Sequence, residues 1–586
     1  MRPDYDQRMP PEPPPEQQPL IWQNSNTGAL PSVESRLGAT GDGRAVLLAA
    51  RSDVALHRLL DVLPVFEGDS RISRLFTLIP GSEFGADALT AVTVAGGRTV
   101  PWDEACLRTY DLILTASPKG ALRLLHGNRV LLPHGAGFGK ALASEGTAGL
   151  ASGLDPAYLR PEDDRFVLHA LAHPDQVGLL AEVSPEAAAR VRVVGDPTLD
   201  RLLASRSQRT HYRRALGTGS RTLVVLASSW GPESLLRRRP DLPAQLIARL
   251  PVDTHQLALI VHPNERSSLG AFDLRELLTP ALAGGMVLAG AYEEWASLLI
   301  AGDVLVTDHG SAALYYSAVS DRPVINAYDG GNEVIPGSPI AELLSSVPRL
   351  AGPDDLRSAA SGYRQGPGRA AAQAAFAHQH GALPRLREEL YDLLGLTLPN
   401  LPVRPRVLPP PTAPAPVAEA FDVHVHAEGS VVSVERTVAG LGAAGHHLAA
   451  EYGAAGEQFV RTAGVLYRRA GPATPGPYRE AWTIAAWTAN TLAEYTGCGT
   501  AAAVLPEGAC VLRHRGDDRL WALHVEPCRQ GGKVVHTDPA AVLSAVHAYF
   551  ATHKTLARTT LTCRIGDHAF PVRISLASPA DASLAL

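Results

Sequence analysis

The sequence has no long apolar run and few cysteines, and each shortage excludes a class of protein. No stretch reaches the roughly 18 to 20 apolar residues of a membrane-spanning helix. The N-terminal residues MRPDYDQRMPPEPPPEQQPL lack the apolar core of a secretory signal. The five cysteines include no CxxC pair, which predicts reduced, mostly buried thiols rather than a disulfide framework. These absences predict a cytoplasmic protein.

Charge is also sparse, and its balance is slightly acidic. Charged residues make up 19% of the 586 residues, the net charge is −6, and lysine occurs only at positions 119, 140, 533 and 554. A net negative charge argues against a nucleic-acid partner held by general electrostatics. The preference for arginine over lysine indicates a GC-rich bacterial genome and says little about function. Peripheral association with a membrane surface is left open.

Strand and helix patterns alternate over the first two thirds of the chain. Residues 1–40 are rich in Pro, Glu and Gln without periodicity, which is typical of a disordered tail. Apolar strand patterns then alternate with helical stretches from AVLLAA to VRVVGD, and the alternation restarts at TLVVLAS. Such alternation is typical of parallel sheets covered on both faces. We therefore predict an α/β fold with two Rossmann-like units, residues 41–215 and 216–397. The helical segment near 367–395 is expected to cross back to the first unit.

The rest of the chain has a different residue pattern, which predicts a third unit. Residues 398–419 include RPRVLPPPTAPAPV, whose proline content favours a semi-rigid, extended linker. Residues 420–586 combine an alternating strand at FDVHVHA, helical stretches near 444–469 and 479–496, and a hairpin around Gly566. This mixture predicts an α+β domain.

Two motifs that would imply a bound metal or nucleoside triphosphate are incomplete. The HxH of FDVHVHA occurs at strand ends of metal-dependent hydrolase barrels, but the roughly 160 residues that remain cannot build a barrel of about 250. Its alternation makes His424 and His426 part of an exposed polar face. The glycine-rich run that begins at Gly135 is not followed by GK[ST], so it is not a Walker loop. We therefore expect no metal and no cofactor.

One strand end combines the features of an anion site. In LVTDHGSAALYYSAV the strand closes at Asp308, His309 and Gly310 form a tight turn, and Ser311 starts a helix. The exposed N–H groups of a first helical turn favour an anion such as a diphosphate, and Gly310 allows close backbone approach. Ordinary capping of a strand-to-helix loop explains the same residues, with Asp308 as the N-cap.

Other strand ends carry loops of the same kind. LPHGAGFGK contains His134 and Gly135, ASSWGPESL contains Ser229 and Trp230, and LIVHPNER contains His262. In doubly wound folds, ligands bind beyond the carboxyl ends of the strands. A strand-end histidine can act as a general base or a phosphate donor near neutral pH. These loops are therefore predicted to share one cleft between the two units.

The second unit contains motifs that resemble a known family. In order, SSWGPE, HPNE, YEEWASLLIAGDVLVTD and HGSAALYYSAVSDRPVI resemble the C-terminal half of the CDP-glycerol glycerophosphotransferase family, which has the GT-B glycosyltransferase fold. His134-Gly135 is similar to the family's catalytic histidine–glycine loop. The segment VVGDPTLDRLL resembles the connection between the two halves, also in UDP-N-acetylglucosamine 2-epimerases. The resemblance covers about residues 125–330. Gly231 stands where the family has an arginine, and His309-Gly310 replaces an aromatic residue and a serine.

The resemblance implies a transferase that uses a nucleotide-diphosphate donor, with glycosyl or glycerophosphoryl transfer to an unknown acceptor. His134 would deprotonate the acceptor hydroxyl. The implied donor-binding residues are Gly135, Ser229, Trp230, His262, Asp308, His309, Gly310 and Ser311. Two alternatives stay open, a nucleotide-sugar epimerase and a non-catalytic GT-B-like scaffold or regulator. The sequence does not fix the oligomeric state or the role of residues 420–586.

Overall fold

The structure is a computed structural model. It describes residues 43–81, 92, 96–133, 135–141, 151–155, 158–159, 166–290, 293–412, 418–442, 444–470, 481–553 and 557–586. The predicted tail, residues 1–40, and the predicted base, His134, both lie outside the described residues. Across the described ranges, no helix has the length and apolar character that a membrane span requires.

The first unit is a six-stranded sheet with helices around it. Its strands are Arg44–Ala50 (β1), Ile72–Leu78 (β2), Thr109–Thr115 (β3), His126–Leu131 (β4), Phe166–Leu171 (β5) and Val191–Val193 (β6). Its helices are Asp53–Val62 (α1), Trp102–Cys106 (α2), Asp175–Val183 (α3), Pro185–Ala188 (α4), Pro197–Ser205 (α5) and Arg209–Ala215 (α6). The strand order is β2-β1-β3-β4-β5-β6, and every pair is parallel. The central strands are apolar throughout because both faces of the sheet are covered.

The second unit repeats this plan with five strands. They are Thr222–Ser228 (β7), His255–Val261 (β8), Val287–Leu288 (β9), Val304–Thr307 (β10) and Val324–Asn326 (β11). The helices are Leu235–Arg238 (α7), Leu242–Arg249 (α8), Pro263–Leu277 (α9), Thr279–Ala283 (α10), Glu294–Ala301 (α11), Ala312–Val319 (α12), Pro339–Ser346 (α13), Leu356–Gly362 (α14), Pro367–Ala375 (α15) and Ala382–Leu394 (α16). The order β11-β10-β7-β8-β9 is again fully parallel. Both predicted Rossmann-like sheets are therefore confirmed.

Helix α16 returns to the first unit, as predicted. Its apolar face, with Leu383, Leu386 and Leu390, is fully buried in the core of the first sheet. The Asp200 carboxylate, on α5, accepts the N–H groups of Ala382 and Leu383 at 2.8 and 3.2 Å. This carboxylate fixes the start of α16, because first-turn N–H groups have no partner within their own helix. The two units are thereby tied together beside their cleft.

The third unit is a closed barrel with helices. The barrel strands are Ala420–Glu428 (β12), Val431–Val438 (β13), His447–Glu451 (β14), Val465–Arg469 (β15), Thr500–Val504 (β16), Ala509–His514 (β17), Trp521–Val525 (β18), Thr559–Ile565 (β21) and His568–Leu576 (β22), while Cys528–Gln530 (β19) and Lys533–Val535 (β20) form a separate hairpin. The helices are Glu457–Thr462 (α17), Ile484–Glu494 (α18), Pro539–Thr552 (α19) and Pro579–Ser583 (α20). The barrel order is β12-β13-β21-β22-β18-β17-β16-β15-β14, with parallel and antiparallel pairs. Helix α19 is apolar nearly all round and packs in the barrel core.

One sequence expectation for this unit is wrong. Residues 444–469 were expected to be helical, but they contain strand β14, the short helix α17 and strand β15. The segment is rich in alanine, which favours helix in isolation. Pairing of β14 with β12 and β15 completes the barrel and outweighs that local preference.

The barrel is docked on the second unit, and the segment before the barrel is docked on helices α5 and α6 of the first unit. Arg436 of β13 is buried and pairs with Asp253 at 2.6 Å and Asp538 at 3.1 Å. In the predicted linker, Leu408 is only 5% exposed. Its N–H donates to Ser205 Oγ at 2.9 Å, and its carbonyl accepts from the Tyr212 hydroxyl at 2.7 Å. At Leu408 the linker is therefore held by specific bonds.

Candidate functional site

A cavity of about 660 Å³ lies between the two Rossmann-like units. It is lined by the start of α1 and a glycine loop of the first unit, and by strand-end loops of the second. The described residues of the predicted site all line it: Gly135, Ser229, Trp230, His262, Asp308, His309, Gly310 and Ser311. The strand ends meet here because parallel strands direct their carboxyl ends to one edge of a sheet. The role of these residues in binding stays a prediction.

Asp308, at the end of β10, acts inside the protein. It is completely buried. Its Oδ2 atom accepts the Ser229 N–H at 2.8 Å, the Ser229 hydroxyl at 3.0 Å and the Leu235 N–H at 2.7 Å. Its Oδ1 atom accepts the Gly310 N–H at 2.9 Å. With four donors, this carboxylate fastens the loop after β7 to the loop after β10, and it does not cap α12, whose N-cap is Ser311.

The two loops that Asp308 joins leave room only for a glycine at position 310. A Cβ atom on residue 310 would lie 3.1 Å from Asp308 Oδ1 and 3.3 Å from the Ser229 Cβ atom. Both distances are tighter than an ordinary carbon contact, and the buried corner cannot move aside cheaply. The close approach that Gly310 permits is therefore to Ser229 of the neighbouring loop. A larger residue here would disturb the loops before it reached a ligand.

His309 joins an ion-pair cluster that spans the two units. His309 is 3% exposed, and its Nε2 atom lies 3.2 Å from Glu333 Oε2. Lys140 of the first unit pairs with the same oxygen at 3.0 Å and lies 4.9 Å from the centre of the Trp230 ring. Burial raises the pKa of Glu333, but hydrogen bonds from His309 and Lys140 outweigh it, so the pKa is lowered overall. Glu333 therefore remains ionised and holds Lys140 against the second unit.

The backbone conformation at Gly231 explains why this chain has a glycine where the resembled family has an arginine. Its φ is +90°, a left-handed conformation that side chains rarely adopt. A Cβ atom there would also meet Glu333 Oε1 at 3.4 Å and Lys140 Nζ at 3.8 Å. An arginine at this position is disfavoured by the backbone, and the cluster of Lys140 and Glu333 occupies the adjoining space.

His262 presents a defined tautomer at the N-terminus of α9. Its Nδ1 atom accepts the Asn264 N–H at 3.1 Å and caps the helix. In the neutral ring, the proton is then on Nε2, which makes that atom a hydrogen-bond donor. The ring lies 6.1 Å from the Trp230 ring, with an interplanar angle of 30°. This arrangement suits a donor to phosphate oxygen.

Ser311 and Arg58 approach the same point of the first-unit loop. Ser311 is exposed and starts α12 without a side-chain capping bond. A Cβ atom built on Gly135 would lie 3.8 Å from Ser311 Oγ and 3.8 Å from Arg58 Nη2. Arg58, on α1, also lines the cavity. A helix N-terminus and a guanidinium group thus face the cavity from opposite units, which is an arrangement that favours an anion.

A buried polar network supports Arg58 from behind. Its Nη1 atom lies 3.8 Å from Asp196 Oδ1, and its guanidinium carbon lies 5.2 Å from the centre of the Tyr315 ring. The Tyr315 hydroxyl donates to Asp196 Oδ2 at 2.7 Å. Burial raises the pKa of both Asp196 and Tyr315. These groups fix the guanidinium group at the cavity wall.

A second ion-pair group lies next to this network. Arg201 donates to Asp61 at 2.9 Å and to Glu293 at 2.6 Å, and Thr198 donates to Asp61 at 2.5 Å. Burial lowers the pKa of Arg201, but the two carboxylates outweigh it and raise the pKa overall. Neither group is among the residues predicted from the sequence. The available signal was a set of charged residues, including Arg58 and Asp61, among the buried leucines of the amphipathic helix α1.

The described residues also bear on metal binding. Among them, no group of three or more His, Cys, Asp or Glu side chains is placed to hold a metal ion. His426 of the HxH motif lies 3.1 Å from Glu428 at an exposed position.

Solved structures resemble this chain, whereas the sequence comparisons found no relative. No protein-family model and no curated protein sequence matches the chain. Among solved structures, it is similar to the wall teichoic acid polymerase TagF, with 13% identity and a TM-score of 0.42, over 60% of this chain and 88% of that chain. It is also similar to HepE of Anabaena in complex with UDP and glucose, with 15% identity and a TM-score of 0.37, over 60% of this chain and 99% of that chain. Each is a likeness to a solved structure with a TM-score below 0.5, and neither assigns an activity to this chain.

Proposed function

We propose that the chain is a transferase of GT-B type that binds a nucleotide-diphosphate donor between its two Rossmann-like units. The observation that carries this proposal is that Ser311, at the α12 N-terminus, and Arg58, on the first unit, both line the cavity and approach the same point beside Gly135. A volume of about 660 Å³ is within the roughly 300–1,000 Å³ of ordinary ligand pockets. The diphosphate is the part of such a donor that these groups recognise.

The charges at the cavity fit the demands of the reaction. In glycosyl transfer, the acceptor oxygen bonds to the sugar carbon, the bond from that carbon to the diphosphate breaks, and the nucleoside diphosphate leaves. In glycerophosphoryl transfer, the acceptor oxygen bonds to phosphorus, the phosphoanhydride bond breaks, and the nucleoside monophosphate leaves. In both reactions, negative charge grows on the leaving phosphate, and the α12 amides, Arg58 and His262 Nε2–H would stabilise it.

The acceptor must lose a proton as its oxygen attacks. We assign His134 as the general base that accepts this proton. Its neighbours in the chain, Pro133 and Gly135, both line a cavity of the first unit. Pro133 follows β4, so the assigned base belongs in sequence to a strand-end loop of the first unit. The donor is thereby assigned mainly to the second unit and the proton acceptor to the first.

Binding and turnover can be tested separately. Isothermal titration of the full-length protein with CMP, UDP and GDP should give measurable affinity for at least one of them. Labelled CDP-glycerol and UDP-sugars then test transfer, with products resolved by chromatography. Conversion of a UDP-sugar without an added acceptor would instead support the epimerase. Binding without turnover of any donor would support a regulator, and absence of binding by all three nucleotides would refute the donor site.

Two variants assign the roles. His134→Ala should leave nucleotide affinity nearly unchanged and lower turnover by about 100-fold or more, because a general base acts on the transition state. Arg58→Lys keeps the charge beside Asp196 but loses the planar fork. It should weaken binding of the nucleoside diphosphate by about tenfold and leave the unphosphorylated nucleoside unaffected. Arg214→Lys, at an exposed position of α6, is the matched control. Equal affinities of wild type and Arg58→Lys would remove Arg58 from the site.

A further inference from the structure

The segment that leads to the barrel is also part of the proposed donor cavity. Leu408, in the predicted linker, lines this cavity between the two Rossmann-like units. It is 5% exposed and belongs to the same apolar core as Leu202 and Leu314, which line the cavity as well. A linker that only connects two domains usually runs through solvent with few contacts. Residues 406–412, which we call the wall segment, are instead built into the site.

The first residue of the wall segment is bonded to a charged group of the cavity. The Arg406 carbonyl accepts the Nε–H of Arg201 at 3.1 Å. Arg201 lines the cavity and pairs with Asp61 of the first unit and Glu293 of the second. Because the N–H donors of a guanidinium group have a fixed geometry, each acceptor restricts its orientation. The wall segment therefore helps to fix the ion pairs that join the two units at this end of the cavity.

The last residue of the wall segment is bonded to the loop that follows β9. Thr412 donates its N–H to Glu294 Oε1 at 3.1 Å and its hydroxyl to the same oxygen. The other oxygen, Oε2, accepts the N–H of Gly290 at 2.6 Å, and Gly290 lines the cavity. The Glu294 carboxylate thus bridges the wall segment and the cavity lining. A carboxylate held from both sides orders the loop more than one held from a single side.

We propose that the wall segment positions the donor cavity, with Thr412 as a positioning residue that acts through Glu294 on Gly290. The inference rests on the proposed transferase function, because it concerns the donor site of that reaction. In sequence, the segment lies beyond both Rossmann-like units, so these two units alone do not complete the cavity. Donor binding and docking of the segment are then coupled, and the coupling acts equally in both directions.

Replacing Thr412 by valine tests the bridge without disturbing a core. Thr412 is exposed, and valine keeps its shape and its N–H but lacks the hydroxyl. In the unliganded full-length protein, amide hydrogen exchange of peptides that contain Gly290 should become about three- to tenfold faster, since a hydrogen bond to a carboxylate is lost. Affinity for the nucleotide that the wild type binds best, measured by isothermal titration, should fall by a similar factor. Thr412→Ser keeps the hydroxyl and should restore both values.

The reverse effect is measured in the wild type. Saturation with the same nucleotide should slow exchange by about threefold or more in peptides that contain Leu408, because the coupling is reciprocal. The Leu408 N–H reports docking of the segment, since it donates to Ser205 Oγ at 2.9 Å. Thr109→Val is the matched control. It makes the same change at an exposed position of β3 outside the cavity lining, and it should alter neither exchange at Gly290 nor nucleotide affinity.

Each result of these measurements decides one step. Unchanged exchange at Gly290 in Thr412→Val would overturn the bridge, and a Thr412→Ser variant that behaves like Thr412→Val would overturn the role of the hydroxyl. Faster exchange with unchanged nucleotide affinity, or no protection of Leu408 by saturating nucleotide, would overturn the coupling to donor binding. Faster exchange in Thr412→Val, in a protein that binds no nucleotide, would keep the positioning of the cavity wall and refute only the donor site.

Discussion

Replacing Asp308 by asparagine should loosen the two loops that Asp308 joins, while the fold persists. Asparagine has one acceptor oxygen. Placed at the Oδ2 position, it can still accept from the Ser229 N–H, the Ser229 hydroxyl and the Leu235 N–H. The amide NH₂ then faces the Gly310 N–H, which has lost its acceptor. The variant therefore weakens three hydrogen bonds and leaves two donor groups, the Gly310 N–H and the facing amide NH₂, without an acceptor.

The expected cost follows from this count. An unsatisfied buried donor costs about 1–3 kcal/mol, and loss of the negative charge weakens each remaining bond by up to about 1 kcal/mol. The free energy of local opening should therefore fall by about 2–5 kcal/mol. Because every 1.4 kcal/mol is a factor of ten, amide hydrogen exchange in residues 229–235 should become at least about 30-fold faster.

Hydrogen exchange measured by mass spectrometry tests this directly in the full-length protein. Peptides from the hairpin of β21 and β22, in the distant barrel, serve as an internal reference and should not change. Asp273→Asn, at an exposed position of α9, is the control variant and should leave the loops unaffected. In Asp308→Asn, the loops after β7 and β10 remain joined most of the time, so nucleotide affinity should change less than about threefold. Unchanged exchange with a large loss of affinity would show that Asp308 contacts the ligand instead.

Two further predictions concern the linker and the barrel. Leu408→Ala should destabilise the core that α5 and α6 share with the second unit by about 2–5 kcal/mol, measured by urea unfolding, whereas Val407→Ala, at a 54% exposed neighbour, should cost almost nothing. Burial lowers the pKa of His447 to about 3 and of His547 to about 4, below their ordinary 6.5. The unfolded chain therefore binds more protons than the folded one between these values, so barrel stability is full above pH 6.5 and falls toward pH 4. The urea midpoint should be lower at pH 5 than at pH 7.5, and replacing both histidines by asparagine should flatten this difference. Equal midpoints in the unsubstituted protein would contradict the burial of neutral rings.

The two parallel sheets could be predicted because their signal is local. Each strand is a short apolar run, and each is followed by a helical pattern, so periodicity along the chain is sufficient. The return of α16 to the first unit was predictable for a similar reason. A strongly amphipathic helix at the end of the second unit, with Leu383, Leu386 and Leu390 on one face, must bury that face somewhere.

The barrel could not be predicted in the same way, because its closure depends on distant pairs. Strand β13 pairs with β21, and β12 pairs with β14. Neither pair is joined by a tight turn that the sequence could reveal. The hairpin of β21 and β22 has such a turn at Gly566, with φ of +55°, and it was found from the sequence.

In the candidate site, the sequence predicts where residues lie but not where their side chains point. That a residue follows a parallel strand predicts which edge of the sheet it occupies, and the eight described residues do gather there. It does not predict where the side chain points. Asp308 and His309 turn inward to bind Ser229 and Glu333, while Ser311 stays exposed at the cavity. Side-chain direction depends on loops that are distant in sequence, and no local pattern records it.

This inward packing bears on how a donor would be recognised. Asp308 fixes the start of α12 from the inside, so the first-turn amides are rigid before any phosphate arrives. Arg58 is held on the first unit by Asp196, and Lys140 of the first unit is held by Glu333 of the second. A diphosphate that contacts both α12 and Arg58 would link the two units, in addition to the ion pair of Lys140 and Glu333 that already joins them. Donor binding should therefore stabilise the closed arrangement of the two units, since a ligand shifts an equilibrium toward the state in which it makes more contacts.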